Sequence, residues 1–271
     1  MLKRNQLNEL FSAGDLSTVR MEIEPEDIKP SPEAVVRYFG GPGYPMTSKT
    51  HDQVCRGIQQ AVEMVNTFVC YRAIPMEMIE NGRGTGLPED SLTDIFPDST
   101  GDARYLAAYV ATLGGVLETR CRELAQQNRV YQSLLLDAVG TAMLDDLGSI
   151  CSDMIEMHAR HMGVYSGCRK GPGLNGVALE NQGLIFHLLG DDTAGVHLNE
   201  AFIMQPAKSI SGFALYTDTE QQKPLPVQVH TILMKELFHG QTNAHRRHER
   251  EENGKSPLGA VCRGQLCLSY Q

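Results

Sequence analysis

The spacing of hydrophobic residues changes several times along the chain, and each pattern predicts a type of secondary structure. Helical spacing predicts helices over residues 31–40, 48–69, 116–127 and 130–162. Ser31 followed by Pro32 is a favourable start for the first of these helices. Short runs rich in β-branched and aromatic residues predict strands over residues 68–74, 105–114 and 227–234.

These patterns divide the chain into three predicted parts. Residues 1–30 form a peripheral segment, residues 31–238 a domain, and residues 239–271 a charged tail. The first part opens with a short amphipathic pattern that ends at Gly14. The tail begins with a strongly charged run and closes with two cysteines, Cys262 and Cys267.

The stretch from Tyr165 to Tyr216 begins with a glycine-rich loop at residues 163–176 that contains Arg169 and Pro172. Because glycine permits a positive φ and proline restricts its neighbour, this loop can bring bare backbone groups close to a flat ligand. The arginine would add a planar pair of donors for a carboxylate. A surface turn with an incidental arginine is the other interpretation of these residues.

The rest of this stretch predicts a helix and two strands. Residues 179–189 have amphipathic helical spacing, and apolar runs near residues 202–204 and 210–215 predict strands joined at a bend. Glu200 opens the first of these strands and faces either a groove or solvent. In the long helix upstream, Asp145 and Asp146 are poor helix formers, so at least one of them is expected to face water or a ligand groove.

Composition excludes several classes of protein. The 271 residues are 41% hydrophobic and 21% charged, which is ordinary for a soluble globular protein. A net charge of −9 argues against nucleic-acid binding, and no apolar run approaches the ~20 residues of a membrane span. The absence of a secretory pattern and the seven scattered cysteines favour a cytoplasmic protein with reduced thiols.

Metal-binding patterns are weak. His158 and His161, like His245 and His248, are spaced by about one helical turn, but a solvated helix end and a charged tail explain them better. Cys262 and Cys267 are the remaining metal candidates, although two thiols do not make a four-ligand shell. Nucleophile-elbow, Walker and dinucleotide-binding motifs are missing, so no self-contained hydrolase, kinase or dehydrogenase is indicated.

Several short motifs, taken together and in order, identify a resemblance. They are Val36-Arg-Tyr-Phe-Gly40, Ala111-Thr-Leu-Gly114, Asp137-Ala138, Arg169-x-x-Pro172-Gly173, Leu179-Glu-Asn-Gln182 with Ile185-Phe-His-Leu-Leu189, Gly195-Val-His-Leu-Asn-Glu200, and Met204-Gln-Pro-Ala-Lys208-Ser-Ile-Ser211. In this order they resemble the activation domain of cobalamin-dependent methionine synthase, and more closely the stand-alone proteins that carry this domain alone. The similarity covers roughly residues 30–235.

The resemblance implies an α+β fold, a twisted antiparallel sheet flanked by helices, with S-adenosylmethionine in an extended groove. It implies that Arg169 pairs with the ligand carboxylate and that the backbone from Gly171 through Pro172 and Gly173 to Leu174 bonds the adenine or ribose edge. Acidic residues near the ligand's cationic end are expected to include Asp145 and Glu200. The family's acidic residue on the long helix is replaced near Thr141, which makes Asp145 the candidate there.

The implied function is to present the methyl group of S-adenosylmethionine to a corrinoid cofactor, which a flavoprotein reduces by one electron. No Asp-x-His-x-x-Gly motif for cobalamin occurs here, so the corrinoid is expected on a partner protein or methyltransferase. A second hypothesis is a divergent member that itself turns over S-adenosylmethionine. A third is an interaction module without catalysis, whose groove is degenerate.

Overall fold

The computed structural model describes residues 17–80, 92, 95–96, 101–174 and 176–220. The strands are β1 (Val19–Ile23), β2 (Thr67–Pro75), β3 (Ala103–Thr112), β4 (Tyr165–Lys170), β5 (His197–Leu198), β6 (Met204–Gln205) and β7 (Ser209–Thr217). The main helices are α1 (Pro32–Phe39), α2 (Ser48–Val62), α3 (Met76–Glu80), α4 (Val116–Gln126), α5 (Val130–His161) and α6 (Gln182–Leu189). Short 3-10 turns cover Pro25–Ile28 and Leu179–Asn181.

Five of the described strands form one antiparallel sheet in the order β1-β2-β3-β7-β4, and β5 pairs with β6 in a separate hairpin. The last strand along the chain, β7, lies between β3 and β4 and bonds to both. All nine residues of β7 are buried. β7 is therefore an interior strand, which joins the edge strand β4 to the rest of the sheet.

Helices cover both faces of the sheet, and the side chains of β7 alternate between them. Ile210, Ala214 and Tyr216 join the core beneath α1, α2, α4 and α5. Phe213 and Leu215 join the core beneath α3 and α6. Because successive side chains of a strand point to opposite faces, the position of a residue along a strand decides which helical layer it meets.

The helices predicted from sequence are confirmed, with differences at the end of α2 and at the start of α6, where Leu179–Asn181 form a 3-10 turn. Ser31 caps α1, where its Oγ accepts a hydrogen bond from the Ala34 N–H at 3.1 Å. Helix α2 ends at Val62 rather than near residue 69, because the chain turns and enters β2 at Thr67. Val65 and Phe68 fit the helical spacing, but in the structure they belong to the turn and the strand.

Three described strands, β1, β4 and the two-residue β5, lie where the sequence predicted none. The predicted peripheral segment at residues 1–30 includes β1 and the turn after it, whose Met21, Ile23 and Ile28 are fully buried. The alternation of buried and exposed residues in β1 spans only five positions. Because these positions lie in an acidic stretch, the pattern of a strand was not recognised in the sequence. The predicted glycine-rich loop at 163–176 begins with β4, whose pairing with β7 shifts register between Ser166 and Arg169.

Some predictions concern residues outside the described part of the chain. These are the amphipathic start of the chain, the strand at 227–234 and the domain boundary at 238. They stay predictions.

Gly212 offers a test of how closely β3 and β7 pack. It lies opposite Tyr109, and a Cβ at Gly212 would come within 2.8 Å of the Tyr109 ring. We expect Gly212→Ala to lower the free energy of unfolding by ~1–3 kcal/mol, because the ring must move within a filled core. Urea unfolding monitored by circular dichroism measures this change.

Gly57→Ala is the matched control. A Cβ at Gly57, in the middle of α2, would make ordinary contacts of 3.5–3.7 Å with Val139 and Leu135. This substitution should stabilise the protein, by up to ~1 kcal/mol, because alanine is the better helix former. Equal effects of the two substitutions would show that Tyr109 does not restrict position 212.

Candidate functional site

Arg169 lies near the end of β4 and is paired with Ala214 of β7. Ala214 belongs to the core beneath α5, so this pairing places Arg169 on the same face of the sheet. The side chain is half-buried there. Because it lies in an ordered strand between β7 and α5, Arg169 is not part of a bare surface turn.

The charge of Arg169 acts on two buried groups. Burial raises the pKa of the Cys151 thiol on α5 to about 12, and the Arg169 charge opposes this shift. Burial also raises the pKa of Tyr216 on β7, again opposed by Arg169. The guanidinium therefore lies close to the contact between α5 and β7, where a carboxylate would be screened less than in open solvent.

The loop after β4 uses its own backbone donors. The Gly173 N–H donates to the Val177 carbonyl at 2.9 Å, and the Leu174 N–H donates to the Gly171 carbonyl at 3.2 Å. Gly171 and Pro172 are buried, and Gly173 has a φ of 80°. Because these two N–H groups are already bonded, the loop would contact a ligand through carbonyl oxygens, which can accept a second hydrogen bond.

The predicted acidic residues of the long helix lie against α1. Asp145 accepts a hydrogen bond from the Tyr38 hydroxyl, which ties α5 to α1. The pKa of Asp146 is raised by burial, and the Arg37 charge opposes this shift. Both carboxylates are half-buried. A role for Asp145 toward a ligand stays a prediction.

Thr141 on α5 lies next to the side chain of Lys208. The Lys208 ammonium lies 2.9 Å from Asp137 Oδ1 and donates to Thr141 Oγ1 at 3.0 Å. The Lys208 backbone N–H donates to Glu118 Oε1 at 2.9 Å. The segment between β6 and β7 is therefore tied to both α4 and α5, and both a cation and a carboxylate lie near Thr141.

Glu200 lies apart from Arg169. It occupies an exposed turn between β5 and β6, not the start of a strand as the sequence predicted. The turn is held by Asn199, whose Oδ1 accepts hydrogen bonds from the N–H groups of Ala201 and Ile203. This hairpin packs through Met204 into the core beneath α6, so Glu200 and Arg169 belong to layers on opposite faces of the sheet.

A buried polar cluster that the sequence did not reveal lies beside the Arg169 region. The hydroxyls of Tyr71 and Tyr216 share a hydrogen bond of 2.5 Å, and Tyr71 also contacts His158 Nδ1 at 2.7 Å. The Tyr216 hydroxyl donates to the Ile155 carbonyl at 3.1 Å. His158 is only 5% exposed, so it is a core residue and does not lie at a solvated helix end.

The remaining metal candidates, Cys262, Cys267, His245 and His248, lie outside the described residues. Within the described part of the chain, His, Cys, Asp and Glu form no group of three or more that could hold a metal ion. In the same residues, no helix combines the length and apolar character needed to cross a membrane.

Comparison with known proteins identifies the family of this chain. The family described as "Vitamin B12 dependent methionine synthase, activation domain" matches residues 75–223, which is more than half of the 271-residue chain. The chain belongs to this family. This finding confirms the resemblance identified from the sequence motifs.

A solved structure shares the fold. It is described as "Crystal Structure of the MetH Reactivation Domain bound to AdoHcy", and it matches with a TM-score of 0.54 and 16% sequence identity. The match covers 83% of this chain and 87% of that one. It confirms the predicted α+β fold of helices packed on an antiparallel sheet. No curated protein matches the sequence.

His158 gives the core a defined pH dependence. Burial, with a smaller effect of the His161 charge, lowers the pKa of His158 from its ordinary value of 6.5 to about 4. In the unfolded chain the same group binds a proton below about pH 6.5. Between these values the unfolded state binds more protons, so stability should fall by up to ~3 kcal/mol as the pH drops from 6.5 to 4.

Unfolding by urea at pH 7 and at pH 4.5 measures this loss. In His158→Gln the part of the pH dependence that belongs to His158 should disappear, although the variant is less stable at pH 7. His51→Gln removes a histidine whose side chain is 49% exposed and serves as the control. If His158→Gln kept the full pH dependence of the wild type, the loss would arise from other groups.

Proposed function

We propose that this protein binds S-adenosylmethionine beside β4 and supports reductive remethylation of a corrinoid cofactor on a separate methyltransferase. Membership of the activation-domain family supports this role. A solved structure with the same fold is described as bound to AdoHcy, which supports an adenosyl ligand. The observation that carries the proposal is the half-buried Arg169, held between β7 and α5 at the start of the loop.

Arg169 would bind the carboxylate of the ligand. A guanidinium offers two parallel N–H donors to a carboxylate. Such charge-assisted hydrogen bonds are stronger than hydrogen bonds between neutral groups. The position of Arg169 is set by the pairing of β4 with β7 rather than by a loop alone. The strand therefore fixes the donors in advance, which reduces the cost of ordering them on binding.

The loop after Arg169 would receive the adenosyl group. The Gly173 and Leu174 N–H groups already donate within the loop. Its carbonyl oxygens would accept from the adenine amino group or from the ribose hydroxyls.

A carboxylate on α5 would suit the positively charged methionyl end of the ligand. Asp145, which accepts from Tyr38, is the residue that the sequence proposed. Asp137 is a second carboxylate on the same helix, 56% exposed and paired with Lys208. The role of Glu200 is a weaker part of the proposal, because its hairpin packs on the other face of the sheet.

The protein itself would bind S-adenosylmethionine and orient it toward the corrinoid of the partner. S-adenosylmethionine would supply the methyl group to cobalamin on the partner, and a flavoprotein would supply the electron that this transfer requires. The free thiols of Cys55, Cys70, Cys121 and Cys151 accord with a reducing compartment such as the cytoplasm, where we place the protein.

Calorimetric titration with S-adenosylmethionine and with S-adenosylhomocysteine tests the proposal directly. We expect saturable binding of both ligands and no consumption of S-adenosylmethionine by the protein alone. Absence of binding to both would refute the proposed function. Formation of a product without any partner would instead support the hypothesis that the chain turns over the ligand itself.

Arg169→Ala should weaken the binding of S-adenosylhomocysteine by ~1.5–3 kcal/mol, the range for a hydrogen bond to a charged group. Lys170→Ala is the matched control. Lys170 is paired with Phe213, whose side chain packs beneath α6. Lys170→Ala therefore removes a neighbouring cation that lies on the other face of the sheet. We expect Lys170→Ala to bind as the wild type does. Equal affinity of Arg169→Ala and the wild type would remove Arg169 from the site.

A further inference from the structure

Cys55 is an exposed thiol near the middle of α2. The helix packs into the core through Val54, Ile58 and Ala61, which are buried, whereas the Cys55 side chain remains accessible to solvent. A small molecule can therefore reach the sulfur without any movement of the core.

An imidazole lies beside this sulfur. Cys55 Sγ is 3.7 Å from His51 Nδ1 and 3.8 Å from His51 Nε2, within hydrogen-bond reach for sulfur. The two residues are four positions apart, the spacing that makes side chains neighbours on a helix. Thr47 caps this helix, since its Oγ1 accepts from the Thr50 N–H at 3.1 Å, and the cap orders the turn that carries His51. The helix therefore holds the imidazole and the thiol together.

The pair has the composition of an activated nucleophile. The thiolate, rather than the thiol, is the nucleophile in cysteine chemistry, and an adjacent imidazole can accept the thiol proton. Asp52 Oδ1 lies 4.0 Å from His51 Nδ1. Once the ring carries the proton, this carboxylate offers it a partner for an ion pair.

The other thiols in the described part of the chain lack this combination. Cys70 and Cys151 are buried, and burial raises the pKa of each thiol to about 12. Cys121 is half-buried, and burial raises the pKa of its thiol to about 11. At neutral pH these three groups are protonated and at least partly covered, so they are poor nucleophiles. Among the four described thiols, Cys55 alone is both exposed and in contact with an imidazole.

We propose that Cys55 and His51 form a site of reversible modification by low-molecular-weight disulfides, at which His51 takes the thiol proton and Cys55 attacks the disulfide. This site lies outside the proposed function, because neither residue is assigned a role toward S-adenosylmethionine. In a reducing compartment such a disulfide is transient, as is usual for redox-sensing thiols there.

The reaction is a thiol–disulfide exchange that needs no further oxidant. Cys55 Sγ forms a bond to one sulfur of the small disulfide, and the sulfur–sulfur bond of that reagent breaks. The other half of the reagent leaves as a thiolate and takes the proton that His51 received. Cys55 is thereby oxidised to a mixed disulfide while the small disulfide is reduced to one thiol, and an excess of small thiol reverses the step.

Glutathione disulfide is the probe for this site. The native protein is incubated with it at pH 7, samples are quenched with iodoacetamide, and trypsin digestion is followed by mass spectrometry. Cleavage after Lys49 and Arg56 releases residues 50–56, in which Cys55 is the sole cysteine. The rate at which this peptide gains a glutathionyl group reports on Cys55 apart from every other cysteine of the chain.

The variant His51→Gln removes the base and keeps a polar side chain at an exposed position. Gln59→Ala is the matched control, because Gln59 lies one turn beyond Cys55 and its side chain bonds to Glu63 at 2.7 Å. We expect the control to react as the wild type does. In His51→Gln the rate at Cys55 should fall at least roughly tenfold, because a positioned base contributes this much or more.

Two results would overturn the proposal. The first is an equal rate at Cys55 in the wild type and in His51→Gln, which would leave an exposed thiol without a base. The second needs no variant and compares residues 50–56 with residues 57–72, the peptide that carries Cys70. We expect Cys55 to react at least roughly tenfold faster than the buried Cys70, and a faster reaction at Cys70 would refute the site.

Discussion

The pairing of β7 with both β3 and β4 is the constraint on which this structure depends. All nine residues of β7 are buried, and their alternation supplies side chains to both helical layers at once. The same strand fixes Arg169 opposite Ala214 and brings the Tyr216 hydroxyl to Tyr71 and Ile155. One strand therefore contributes side chains to both helical layers and positions Arg169, so a change in its register would disturb the core and the proposed site together.

The register of β4 on β7 decides the chemistry that Arg169 can perform. The register shifts between Ser166 and Arg169, and beyond that shift Arg169 faces α5. A slip by one residue would turn the guanidinium to the face beneath α6 and exchange it with Lys170. A bulge in an edge strand thus has a local role here, since it selects which of two adjacent cations enters the layer beside α5 and Tyr216.

The sequence predicted those features that depend on neighbouring residues. The Ser31 cap of α1 and Arg169 in its glycine-rich segment were evident, because a cap or a turn is encoded within a few positions. The short strand β1 was missed, since its five alternating residues lie in an acidic stretch. The contact of His158 with Tyr71 joins residues 87 positions apart, and the burial of Gln182 depends on how α6 crosses the sheet. Neither has a local signature, so tertiary packing alone reveals them.

The order of strands in the sheet also has a consequence for biosynthesis. β3 pairs with β7, although about a hundred residues separate them in the chain. Until residues 209–217 have emerged from the ribosome, β3 and β4 each lack the neighbour that their open edges require. Contacts between such distant segments form slowly, and an unpaired strand edge is a template for association with other chains. The nascent protein is therefore most vulnerable to misassembly late in translation, when four of the five sheet strands exist and β7, which joins β3 to β4, is still missing.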